Sequence, residues 1–142
     1  MAEPIDSRAF QKSLRAGVAL FNDRRFWHAH EAWEEIWLTA ESDTRVFLQG
    51  LIQLSAAYHH LERGTLRGAV RLFDAALERL GAAAGEARCG VDLTDLLERA
   101  GRHREWSRRA LEQAGGVTPV EARLEDSEIP QISFEAPVFQ AK

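Results

Sequence analysis

The residues able to do chemistry are concentrated in one stretch, Phe26-Trp27-His28-Ala29-His30-Glu31-Ala32-Trp33-Glu34-Glu35-Ile36-Trp37. Its tryptophans favour burial, whereas His and Glu are types that cores normally avoid. On a helix His30 and Glu34 stand at i and i+4, so both side chains lie on one side, as two ligands of a metal ion do. The order His30-Glu31-x-x-Glu34 follows the logic of the His-Glu-x-x-His zinc helix, in which the Glu between the ligands acts as a base. Here a Glu replaces the second His, so the motif is degenerate. With His60 as a third ligand, His30, Glu34 and His60 would hold a divalent metal (Zn, Mn or Fe) and leave a position for water. Glu31 would deprotonate that water for hydrolysis of an unknown small molecule. Gln49 and Gln53 would orient the substrate or the ligands.

The same residues also suit a structural hydrogen-bond network, with His30 paired to Glu34 and the glutamines satisfying His60. A small-ligand pocket without metal is the third possibility.

Helical periodicity is what brings these groups together. With Phe26 at zero, Ala29, Trp33, Ile36, Trp37 and Ala40 fill one arc, Trp27 and Leu38 extend it near 100° and 120°, and His30 and Glu34 both fall inside it at about 40° and 80°. Glu31 sits at the edge, while His28 and Glu35 point away. In the next helix Val46, Phe47, Leu48, Leu51, Ile52, Leu54, Ala57, Tyr58 and Leu61 run nearly all the way round, as in a central buried helix. Its polar gap is narrow, with Gln49, Gln53 and His60 within about 40° of one another and His59 about 100° from His60. Buried polar groups require partners, so the two polar strips are expected to face one another.

The elements follow from caps and breakers. Asp6 or Ser7 caps a helix to Asn22, with Phe10, Leu14, Val18 and Phe21 on one stripe. Asp23-Arg24-Arg25 forms a turn before a helix from Phe26 to Ala40. Ser42 or Asp43 caps a third helix to Arg63, Gly64 ends it, and a fourth runs from Leu66 to Leu80. Gly81 to Gly90 is read as a loop or a frayed helix end, and Asp92 caps a last helix ending near Ala114. The pattern predicts an all-α fold of antiparallel hairpins with a central buried helix. Residues 1–116 form one helical domain. Residues 117–142 contain Pro119, Pro130 and Pro137 and form an extended docked tail or, equally, a disordered one. Its Ile129, Ile132, Phe134, Val138 and Phe139 are apolar enough to dock on the bundle or on a neighbouring subunit, a route to a homo-oligomer. Gly64, Ala69, Phe73, Ala76 and Leu77 match the spacing of a tetratricopeptide helix, but two hairpins are too few for a solenoid.

Composition excludes several classes. The 142 residues carry a net charge of −4, so no global field favours nucleic acid or an anionic membrane. Arg99, Arg102, Arg104, Arg108 and Arg109 are interleaved with Glu98 and Glu105 and read as a solvated helix. The single cysteine, Cys89, excludes an intramolecular disulfide framework. No apolar run is long enough to span a bilayer, and no secretory signal is apparent, which makes a cytoplasmic protein the expectation.

Leu20-Phe21-Asn22 followed by Phe26 to Trp37 resembles the opening of a bacterial and archaeal family catalogued as domain of unknown function 309. Phe47-Leu48-Gln49-Gly50-Leu51-Ile52-Gln53-Leu54, His59-His60-Leu61-Glu62-Arg63-Gly64 and Leu66-Arg67-Gly68-Ala69 resemble its second block. The likeness runs from about Ser13 to Leu80. It implies a small all-helical protein. The family has sometimes been labelled a predicted metal-dependent hydrolase, a label that would fall on His30 and Glu31, with Glu34 or Glu35, Gln49, Gln53 and His60 as the other polar positions. Two functions are therefore expected to compete: a metal-dependent hydrolase, and a non-catalytic helical module that binds a protein partner or another copy of itself.

Overall fold

A computed structural model describes residues 7–113 and 129–135. The chain forms α1 (Arg8–Asn22), α2 (Phe26–Trp37), α3 (Ser42–Glu62), α4 (Leu66–Ala82), a 3-10 turn (Gly85–Arg88), β1 (Val91–Asp92), α5 (Thr94–Gln113) and β2 (Ser133–Phe134). The expected all-α bundle is present. Each helix packs on its sequence neighbour up to α4, and α5 closes the bundle against α4.

Local signals set most boundaries. The Ser7 hydroxyl accepts from Phe10 N–H at 3.1 Å and caps α1, a bond contributing about 1 kcal/mol. Arg24, at φ 62°, ends α1, and its guanidinium reaches the Glu62 carboxylate at 2.8 Å. Gly64 turns the chain between α3 and α4 at φ 79°, where a Cβ would be strained. One expectation is corrected and another is refined. Glu41, not Ser42 or Asp43, stands at the α3 N-cap, because Ser42 takes φ 53° and is already the first helical residue. The segment from Gly81 to Gly90, read as a loop or a frayed helix end, holds the end of α4 and also a 3-10 turn.

The third helix is central, as its wheel implied. Phe47, Leu48, Leu51, Leu54, Ala57, Tyr58 and Leu61 are fully buried. Tyr58 is the hub. Its ring meets Phe21 of α1, Phe26 of α2, Phe73 of α4 and His103 of α5, at centroid distances between 5.0 and 5.7 Å. One side chain of α3 thus touches every other helix. Ser55 ties α3 to α2 by donating to the Phe26 carbonyl. That bond places the end of α3 beside the start of α2, the antiparallel arrangement that positions the candidate site.

Of the residues read as a tail, 129–135 are described, and they dock on the bundle of their own chain. Ile129 and Ile132 are buried, and β2 pairs antiparallel with β1 in the register Val91 to Phe134 and Asp92 to Ser133. Val138 and Phe139 lie outside the described residues.

Candidate functional site

His30 is mostly shielded from solvent, and its Nε2 lies 3.5 Å from the Glu34 carboxylate. Its Nδ1 is buried without a hydrogen-bond partner. Trp27 lies over the imidazole with centroids 4.6 Å apart and planes at 24°. Because α2 and α3 run antiparallel, Trp27 also meets His59, at 5.0 Å, and His59 meets His60, at 5.9 Å. The cluster at this end of the bundle is therefore one indole and three imidazoles.

This differs from the polar pocket that periodicity suggested. Glu34 is 49% exposed, so the apolar arc of α2 closes just beyond His30, and Glu34 stands on the rim. Glu31 is exposed. The Gln53 carbonyl accepts from Arg79 of α4 at 3.2 Å and does not serve His60. His60 Nδ1 is buried without a hydrogen-bond partner and faces Gly68, where an added Cβ would stand 3.4 Å from it. Gln49 is half-buried on the same helix. The glutamines thus leave His60 Nδ1 unsatisfied. Among the described residues no group of three His, Cys, Asp or Glu side chains is placed to hold a metal ion.

Two participants escaped the wheel. Trp27 and His59 belong to different helices, and only their antiparallel pairing brings them together. The second missed group is His103, buried on α5, whose Nδ1 lies 2.6 Å from the Tyr58 hydroxyl. Its signal was present in the stripe Leu96, Ala100, His103 and Ser107, the buried face of α5.

Electrostatics separate these groups. Partial burial lowers the pKa of His59, with further lowering from Arg63, His60 and His30 against an opposing pull from Glu62. A histidine whose folded pKa lies below its unfolded value adds stability above the unfolded pKa, near 6.5, and loses it as pH falls through the folded pKa. As pH falls below about 6.5, the wild-type chain should therefore lose stability more steeply than His59→Gln. Urea denaturation at several pH values checks this, and equal slopes would refute it. Burial pushes the Cys89 thiol up to about 11, so it stays a protonated thiol at neutral pH.

Residues 14–72 match the family described as Domain of unknown function (DUF309). This segment is similar to that family. It spans the second half of α1 through the first half of α4 and includes every predicted site residue. The Tyr58 side of the core pair lies within the matched segment, and His103 lies beyond it. No curated protein and no solved structure matches the chain. Among the described residues no helix is long and apolar enough to cross a membrane.

Proposed function

We propose that this protein is a non-catalytic helical module that binds a protein partner, its His and Trp cluster fixing the packing of α2 on α3. The observation that supports this most is Trp27. Its indole is 44% exposed, yet one face is held by His30 and an edge by His59. Interface anchors have this form: a large rigid aromatic surface oriented before the partner arrives. The outer side of α2 continues through exposed Glu31, Glu34 and Glu35 to Leu38, which is 67% exposed. A matching partner offers apolar side chains at both ends of a basic centre.

Metal-assisted hydrolysis has less support. It requires a ligand set and a base aimed at one water, whereas Glu31 is exposed, Glu34 stands on the rim and Gln53 is engaged by Arg79. Zn²⁺, Mn²⁺ or Fe²⁺ should raise Tm no more in the wild-type chain than in His30→Ala. Protein purified without a polyhistidine tag should carry well under one equivalent of these metals. Stoichiometric metal, or a Tm rise abolished by His30→Ala, would favour the hydrolase instead. A synthetic amphipathic helix with central lysines between leucines serves as the positive probe. It should bind the wild-type chain and lose binding to Trp27→Ala, while an inert surface would bind neither.

A further inference from the structure

We propose that the surface under residues 129–135 is an exchangeable strand-docking groove, filled by the chain's own segment and open to the same segment of a second copy when the internal contact is broken or the protein is concentrated. This concerns a different surface from the α2 face and does not depend on the function proposed above.

The groove reads mainly main chain. Asn22, the last residue of α1, turns both ends of its amide on one residue. Its Oδ1 accepts from Ile132 N–H at 2.7 Å, and its Nδ2 donates to the Ile132 carbonyl at 2.9 Å. A neighbouring strand would make the same pair of bonds. Further along, Glu135 N–H donates to the Gly90 carbonyl at 2.7 Å, and β1 pairs with β2. Side chains then supply selectivity. Ile129 and Ile132 are buried, and the Arg15 guanidinium lies 4.2 Å from the Phe134 ring centroid. Backbone pairing along a short edge, with side-chain contacts at alternate residues, is how added strands are recognised.

The connecting chain is long enough for exchange. The 15 residues 114–128, with Gly115, Gly116 and Pro119 among them, separate α5 from Ile129. Fully extended, they reach at most about 50 Å, enough to cross to another copy. The exchanged contact contains the same hydrogen bonds and the same buried side chains as the internal one. Concentration alone then sets the balance, measured against an effective concentration in the millimolar range for a short link.

Complementation tests this. Ile129→Asp/Ile132→Asp disables the segment and leaves the groove. Arg15→Glu/Asn22→Ala disables the groove and leaves the segment. Each full-length variant should sediment as a monomer, and their mixture should form a 1:1 complex that an excess of free peptide 127–136 dissolves. Two variants with wild-type far-UV circular dichroism that stay monomeric when mixed would overturn the proposal. A dimer in either variant alone would do the same, since each lacks one half of the contact. If a double variant loses helicity, Ile132→Ala and Asn22→Ala are mixed in its place and judged by the same outcomes.

Discussion

Gly17→Ala should destabilise the fold by about 2–4 kcal/mol, although alanine is the better helix former by about 1 kcal/mol. A Cβ at this position would stand 2.1 Å from Trp33 Nε1 and 2.5 Å from Cδ1 and Cε2 of the same indole. The indole has no easy escape. It is fully buried, its N–H donates to the Leu14 carbonyl at 3.1 Å, and Phe21 packs beside it. Moving it breaks that bond and leaves a buried N–H unpaired, a cost of about 1–3 kcal/mol before any packing loss. The steric and hydrogen-bond terms together exceed the propensity gain. Gly101→Ala supplies the contrast. An added Cβ there meets nothing within 4 Å, so the same substitution in α5 should stabilise by about 0.5–1 kcal/mol. Urea midpoints decide the matter, with opposite signs expected at the two sites. Trp33→Phe should cost stability alone but less when added to Gly17→Ala, because the smaller ring vacates the contested space. Additive effects would place the damage elsewhere.

The fold was largely legible because its signals are local. The Phe10, Leu14, Val18 and Phe21 stripe, the near-continuous apolar surface of α3 and the breaks at Arg24 and Gly64 each act within a turn or two of the chain. The candidate site was legible only in part. Periodicity ranks residues around one axis, so it placed His30 near the core correctly. It could not say where the neighbouring helix stops covering α2, and Glu34 fell just outside that line. Nor could it supply the pairing of Trp27 with His59, which depends on which ends of α2 and α3 meet. Asn22 illustrates the same limit. On α1 it reads as a helix-ending polar residue, while its partner Ile132 lies 110 positions away. Gly17 is legible only once Trp33 is seen lying against it.

Tyr58 and His103 should couple in the same sense as Gly17 and Trp33: each change costly alone, the pair costing less than the sum. Burial holds the Tyr58 hydroxyl pKa well above 10.0, against a smaller opposing effect of Arg99, so the phenol remains protonated. A protonated phenol 2.6 Å from His103 Nδ1 is assigned as donor, which puts the imidazole proton on Nε2. Tyr58→Phe removes the donor and should cost about 1–3 kcal/mol, since a buried ring nitrogen loses that hydrogen bond. His103→Leu should cost a similar amount by stranding the hydroxyl of a fully buried tyrosine. Tyr58→Phe/His103→Leu removes both polar groups while keeping an aromatic ring among Phe21, Phe26 and Phe73. The mutual desolvation cost of this pair is then gone, and the double variant should be more stable than the sum of the two single losses. Guanidinium denaturation of the four proteins closes the cycle. If the double variant is as unstable as the sum of the singles, the bond is not what joins α5 to the hub of α3. The ring contacts of Tyr58 alone would then hold that helix in place.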